Sequence, residues 1–232
     1  MKKLFAVGAL ATLVSLSSAQ DVVPSLAGGS KAILFSFGGL SFLSAGTFDG
    51  GIGARYYLSD GFAVRAGLQF TSASQTNPAN PVAPNTGEDG KASASALGFS
   101  GAAELHMGKA RVIPYFGAGL SFTTTSTESK NAVTGNPPPA QTTTKNRAAG
   151  ETVNGTTFTG GSSFQVFGLL GVEFFLYKEI SLSAEYRLGY MSSSRPDQEV
   201  TSGTTTTTTK QGGGNTFGIA NSGSLTLAVY LP

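Results

Sequence analysis

The chain has 232 residues, and its charged fraction of 12% is low although its hydrophobic fraction of 40% is ordinary. It has no cysteine and a single histidine, which excludes a disulfide framework and offers no obvious ligand set for a transition metal, so we expect no metal and no cofactor. The 15 basic residues nearly balance the 13 acidic ones. The sequence has no basic cluster of the kind that binds nucleic acid, so we expect no nucleic-acid partner.

The N-terminus carries the pattern of an export signal. Lys2 and Lys3 precede an apolar run, and small residues follow this run up to Ala19. The apolar run is shorter than the roughly 20 residues that a helix needs to cross a bilayer, which favours cleavage over anchoring. The pattern predicts a signal peptide over residues 1–19 and one domain over residues 20–232. No later stretch is long and apolar enough to predict a membrane-spanning helix.

Eight later segments alternate between apolar residues and small or polar residues, which is typical of strands with two different faces. In the clearest segment, residues 62–71, Phe62 and Val64 share the apolar face and Arg65 lies on the other. The first segment changes phase around Gly38, which predicts a bulge. The eight predicted strands cover residues 31–43, 52–58, 62–71, 97–107, 115–122, 164–176 and 180–190, with a last strand ending in Leu225, Leu227, Val229 and Leu231.

The connections between these strands alternate in length, apart from a short first connection at residues 44–47. Tight turns are predicted at residues 59–61, 108–110 and 178–179, and long polar connections at residues 75–90, 128–161 and 195–214. The long connections contain low-complexity stretches, which we expect to bury no core and to stay mobile or extended, namely residues 136–139, 142–144 and 204–209.

This sorting of connections predicts an all-β fold, an eight-stranded antiparallel transmembrane β-barrel with short periplasmic turns and long extracellular loops. Strands can cross hydrocarbon only in a closed sheet, because every backbone polar group there needs an internal partner. We expect the apolar phase to face outer-membrane lipid, with aromatic residues at both ends of that phase. A soluble lipocalin-type barrel, in which the apolar phase would face inward, is the alternative.

The opposite phase of the strands carries charges that a narrow barrel would enclose. These charges comprise three basic and three acidic residues, namely Arg55, Arg65, Glu104, Glu173, Glu185 and Arg187. Because unpaired charges in such a space are costly, we predict a paired network that plugs the lumen with help from Gln69 and Gln165. The alternative is a wet channel that these side chains line without fixed partners.

Several motifs resemble a known family. They are GIGARYYLSDG at residues 51–61, PYFGAGL at 114–120, and GVEFF at 171–175 followed by SAEYR at 183–187. The chain resembles the outer-membrane protein β-barrel domain family, which is related to the transmembrane domain of OmpA and to OmpX and OmpW. The resemblance implies roles in envelope integrity, adhesion, serum resistance or small-solute passage in a diderm bacterium. The chain departs from the family at Tyr230-Leu231-Pro232, since barrels of this family usually end on an aromatic residue. We also expect no peptidoglycan-binding domain after the barrel.

Three functional classes follow from this interpretation. We favour a structural or surface-interaction role through the long loops, which are candidates for binding a surface ligand. We favour a monomeric barrel. A narrow pore for ions or small solutes is the alternative. A lipid-modifying enzyme would need a histidine near the outer rim beside a serine or a carboxylate. His106 lies instead two residues from the tight turn at Gly108, so we expect no enzymatic activity.

Overall fold

The computed structural model describes residues 26–38, 50–219 and 224–232. The predicted signal peptide, the second half of the first predicted strand with its expected bulge, and the short first connection lie outside the described residues. Among the residues that are described, no helix is long and apolar enough to cross a membrane.

Eight strands form the wall of the molecule. They are β1 (Lys31–Gly38), β2 (Gly50–Ser59), β3 (Phe62–Asn77), β5 (Gly90–His106), β6 (Val112–Lys130), β11 (Gly161–Tyr177), β12 (Ile180–Ser194) and β16 (Ser224–Leu231). Each pairs antiparallel with its two neighbours in the order β1-β2-β3-β5-β6-β11-β12-β16, and β16 pairs back to β1. The ring leaves none of these strands as a free edge, and the all-β antiparallel part of the prediction is confirmed.

Shorter strands lie in the connections between the wall strands. They are β4 (Thr86–Glu88), β7 (Val133–Gly135), β8 (Thr142–Lys145), β9 (Glu151–Val153), β10 (Thr156–Phe158), β13 (Gln198–Ser202), β14 (Thr205–Thr209) and β15 (Gly214–Ile219). β15 pairs with β12 ahead of β16, whereas β4 pairs with β7 and β9 with β10 in two separate small sheets.

The ring is apolar outside and mixed inside. Along β6, Phe116 and Leu120 are 41% and 53% exposed, whereas Ile113 and Tyr115, on the other face, are buried. The outward apolar phase matches the expectation for a barrel in lipid and excludes the lipocalin-type arrangement of faces.

The wall strands on one side of the ring are longer than their apolar stretches. β6 has 19 residues, although about 9 to 11 suffice to cross a bilayer. Its outward face is apolar as far as Phe122 and then continues with Thr124, Ser126 and Glu128. Hydrophobic alternation alone missed this extension, because serine and threonine continue the strand without an apolar face.

The extended strands pair with short strands to form a sheet that we call the polar sheet. It consists of the ends of β3, β5 and β6 together with β8, β13 and β14. β11 leaves β6 at Thr125, and β8 takes its place from Glu128 onward. The hairpin β9–β10 packs on the inner face of this sheet, where Val153 is buried against Ala92 and Ala94. The low-complexity stretches that were expected to bury no core do not include this hairpin, and its buried cluster was not predicted; the alternating alanines of β5 provide its apolar surface.

The chain before β1 closes the end of the ring that carries the tight turns. Leu26 is buried in an interior cluster with Tyr57, and the Gly28 N–H donates a hydrogen bond of 3.2 Å to Asp60 Oδ1. Lys109 Nζ donates to Asp60 Oδ2 at 2.9 Å. The hydrogen bond from Lys109, followed by that from Gly28, lowers the pKa of the Asp60 carboxyl below its ordinary value.

A glycine sets the packing of one interior aromatic ring. Tyr115 pairs with Gly171 on the neighbouring strand, and a Cβ atom at Gly171 would lie 2.3 Å from the Tyr115 ring. Tyr115 is only 1% exposed, so its ring has little room to move away.

We predict that Gly171→Ala destabilises the folded protein by about 1–3 kcal/mol, as overpacking does in other interiors. Gly218→Ala is the matched control, because nothing lies within 4 Å of the position that its Cβ would take. The chain has no tryptophan, so unfolding in urea is followed by circular dichroism and by band shifts on gels. Equal stability of the two variants would contradict this prediction.

Candidate functional site

The ring brings the six predicted interior charges together. They form what we call the lumen ion cluster, which consists of Arg55 on β2, Arg65 on β3, Glu104 on β5, Glu173 on β11, and Glu185 and Arg187 on β12. All six lie on the inward phase of their strands, and five of them are largely buried. Arg187 is the exception, because 30% of its side chain is exposed.

Arg55 lies at the centre of the cluster. Its Nε lies 2.8 Å from Glu104 Oε2, and its Nη1 lies 3.0 Å and 3.1 Å from the two carboxylate oxygens of Glu173. The same Nη1 donates to Tyr230 Oη at 3.2 Å. One guanidinium therefore joins three strands across the lumen.

Arg65 continues the chain of charges toward the long connections. Its Nη1 lies 2.9 Å from Glu104 Oε1 and 2.9 Å from Glu185 Oε2, and its Nη2 donates to Glu185 Oε1 at 3.2 Å. Arg187 Nε then donates to the same Glu185 Oε1 at 2.7 Å. The signs alternate from Glu173 to Arg187, so the six charges cancel.

Aromatic residues and the histidine complete the contacts at the inner end of the cluster, which is the end nearer the tight turns. His106 stacks on Tyr115 with ring centroids 4.9 Å apart, and its Nε2 lies 3.2 Å from Glu104 Oε2. Tyr230 Oη donates to Glu173 Oε1 at 3.0 Å, and Ser181 Oγ hydrogen-bonds the same oxygen. Tyr57, Tyr115 and Tyr230 were not predicted to belong to this site, although they share the inward strand phase with the charges and this phase was a usable signal.

The two sides of the cluster differ. Toward the tight turns the interior is filled by an apolar and aromatic group, which comprises Leu26, Ala32, Leu34, Tyr57, Ala63, Ile113, Phe175, Ala228 and Tyr230. Toward the long connections lies what we call the outer cavity, with a volume of about 340 Å³. The described part of the lumen is thus packed with side chains at one end and contains a cavity at the other.

The predicted help from Gln69 and Gln165 in plugging the lumen stays a prediction. Both glutamines line the outer cavity, where Gln165 Oε1 accepts a hydrogen bond of 3.4 Å from Ser121 Oγ. Within the described residues, neither amide hydrogen-bonds a member of the lumen ion cluster, although both share the cavity wall with Arg65, Glu185 and Arg187. On β3, Gln69 lies four residues from Arg65, and on β11, Gln165 lies eight residues from Glu173.

A ring of antiparallel strands with an apolar exterior and paired charges inside defines a membrane β-barrel. The family model for the outer membrane protein beta-barrel domain matches residues 4–220, and the chain belongs to this family. It is accordingly an integral protein of the bacterial outer membrane. A comparison with curated proteins finds no match to the chain.

We predict that Arg55→Met destabilises the barrel by about 3–5 kcal/mol, because it leaves Glu104 and Glu173 buried beside an uncharged side chain. The double change Arg55→Met with Glu173→Gln should recover part of this loss, since it removes one of the two buried carboxylate charges that lose Arg55 as a partner. The measurement is urea unfolding in lipid vesicles.

Arg195→Met serves as the control for this test. Arg195 is exposed, and its one hydrogen bond among residues 26–38, 50–219 and 224–232 goes to the Ala148 carbonyl, so its replacement should change stability by no more than about 0.5 kcal/mol. A loss for Arg55→Met no larger than that of the control would contradict a structural role for the cluster.

Proposed function

We propose that this protein is an eight-stranded transmembrane barrel with a plugged lumen, and that it acts by surface contact through its long loops. Its tight turns face the periplasm, and its long connections, with the polar sheet, face the outside of the cell. The observation that carries this proposal is the continuation of β6 beyond the apolar stretch that ends at Phe122. A strand needs no such extension to cross a membrane.

The polar sheet offers a surface for contact. Its last strand, β14, pairs with β13, and all five of its threonines are exposed. An exposed edge strand presents backbone N–H and C=O groups that another extended segment can pair with. These features support adhesion or another contact at the cell surface over a purely internal role.

A closed lumen supports contact rather than transport. Arg55, Tyr57 and Phe175 are at most 1% exposed and fill the interior at the periplasmic end. Leu26 packs against the same group from the chain before β1. A solute path would need to move several of these side chains together.

We also propose that the protein has no catalytic role. His106 is enclosed between Glu104, Glu173 and Tyr115, and its side chain is fully buried. It lies at the end of the barrel opposite to the loops, so a lipid of the outer leaflet has no route to its ring nitrogens. The buried contacts support a structural histidine.

We predict that the wild-type protein shows no discrete conductance in planar bilayers, because the periplasmic end is filled. Tyr57→Ala with Tyr230→Ala removes two rings from this end and should produce discrete openings. Tyr177→Ala is the control, since Tyr177 is 67% exposed and takes no part in the interior. A large stable conductance of the wild type would favour the pore instead.

We predict that replacing residues 198–209 with a glycine-serine linker of equal length lowers cell adhesion severalfold, because it removes β13 and β14 from the polar sheet. The control replaces residues 78–85, which precede β4, in the same way. Adhesion of cells to each other and to coated surfaces is measured together with uptake of a hydrophobic dye. Unchanged adhesion with increased dye uptake would indicate a role in envelope integrity and contradict surface contact.

A further inference from the structure

The outer cavity has the properties of a small polar binding site. Its volume of about 340 Å³ lies within the range of roughly 300–1,000 Å³ that is common for small-molecule sites. Amide and hydroxyl side chains line its wall, among them Gln69, Ser100, Ser121, Thr123 and Gln165. Gln69 is exposed, which shows that solvent reaches the wall of the cavity.

The floor of the cavity is positive although the lumen ion cluster is neutral as a whole. The chain of ion pairs runs from Glu173 at its inner end to Arg187 at its outer end, so a cation is the last charge before the cavity. Charges ordered in this way set up a field that favours anions at the positive end.

Glu185 also lines the cavity, but its capacity to accept hydrogen bonds is used. Its Oε1 accepts from Arg65 Nη2 and Arg187 Nε, and its Oε2 accepts from Arg65 Nη1 and Tyr115 Oη. A carboxylate has about four lone-pair sites, so Glu185 has no acceptor site left for a ligand. Its charge is balanced by the two arginines that contact it.

Arg187 is held in place and still has donors to offer. Its guanidinium lies 4.5 Å from the centre of the Phe167 ring, and its Nε is fixed on Glu185. In the part of the chain that the structure describes, Glu185 is the only acceptor within hydrogen-bond distance of Arg187. The two Nη groups are therefore available to a partner, and a guanidinium with free Nη groups suits a carboxylate.

We propose that the outer cavity binds a small polyhydroxy carboxylate, with its carboxylate on the Nη groups of Arg187 and its hydroxyls on Gln69, Ser121 and Gln165. This inference goes beyond surface contact and does not depend on it, because the site lies inside the barrel wall. It equally does not require the periplasmic end to be closed.

The test uses the full-length mature protein in detergent micelles, with gluconate as the probe and glucose as its uncharged counterpart at the same ionic strength. Gluconate should shift the Nε–H resonance of Arg187, which is assigned by its absence in Arg187→Gln. This variant should bind gluconate at least about tenfold more weakly than the wild type, as expected for loss of a charged contact. Glucose should bind no more tightly than gluconate binds to the variant.

Two further variants make the result specific. Ser100→Phe fills the cavity without changing an ion pair and should also abolish gluconate binding, which covers the case in which Arg187→Gln fails to fold. Arg195→Gln, in an exposed loop, should bind like the wild type. The proposal is overturned if the wild type does not bind gluconate, if glucose binds equally well, or if both cavity variants retain binding.

Discussion

The requirement that Arg55 be paired inside the barrel governs much of the structure. Its guanidinium is enclosed, and its partner Glu173 lies 118 residues away in sequence, on a strand across the lumen. A buried cation without partners would be very costly, so the ion pairs form only when these strands take their places in the ring. A slip of one residue in any of these strands would turn its charge toward lipid, and the cluster therefore fixes the register as well as the closure.

The same cluster divides the lumen into two parts with different properties. On the side of the tight turns, Tyr57 and Phe175 are buried in a cluster of apolar and aromatic side chains that fills the space. On its outer side, glycine, serine and glutamine line a cavity. A ring of eight strands is narrow enough for larger side chains to have filled this space. Arg187 stands at the boundary, which explains why it is the one member of the cluster with substantial exposure.

Sequence periodicity predicted the eight wall strands and the inward charges, because the alternation of strand faces assigns each residue to one side. It could not predict which charges pair. Arg65 contacts two glutamates on different strands, and which residues meet across the lumen depends on how the strands are offset along the ring. The extended strands and the buried Val153 were missed for another reason. Threonine, serine and alanine alternate without a strong hydrophobic contrast, so these segments resembled unstructured loops.

The threonine-rich composition of these segments has a physical basis once the polar sheet is known. Threonine favours extended backbone through its branched Cβ and remains polar, which suits strands that continue beyond their apolar stretch. The apolar stretch of β6 accounts for the crossing of the bilayer, and β11 accompanies it only as far as Thr125. Beyond that point β11 no longer pairs with β6, and the added strands β8, β13 and β14 extend this side of the ring into an open sheet.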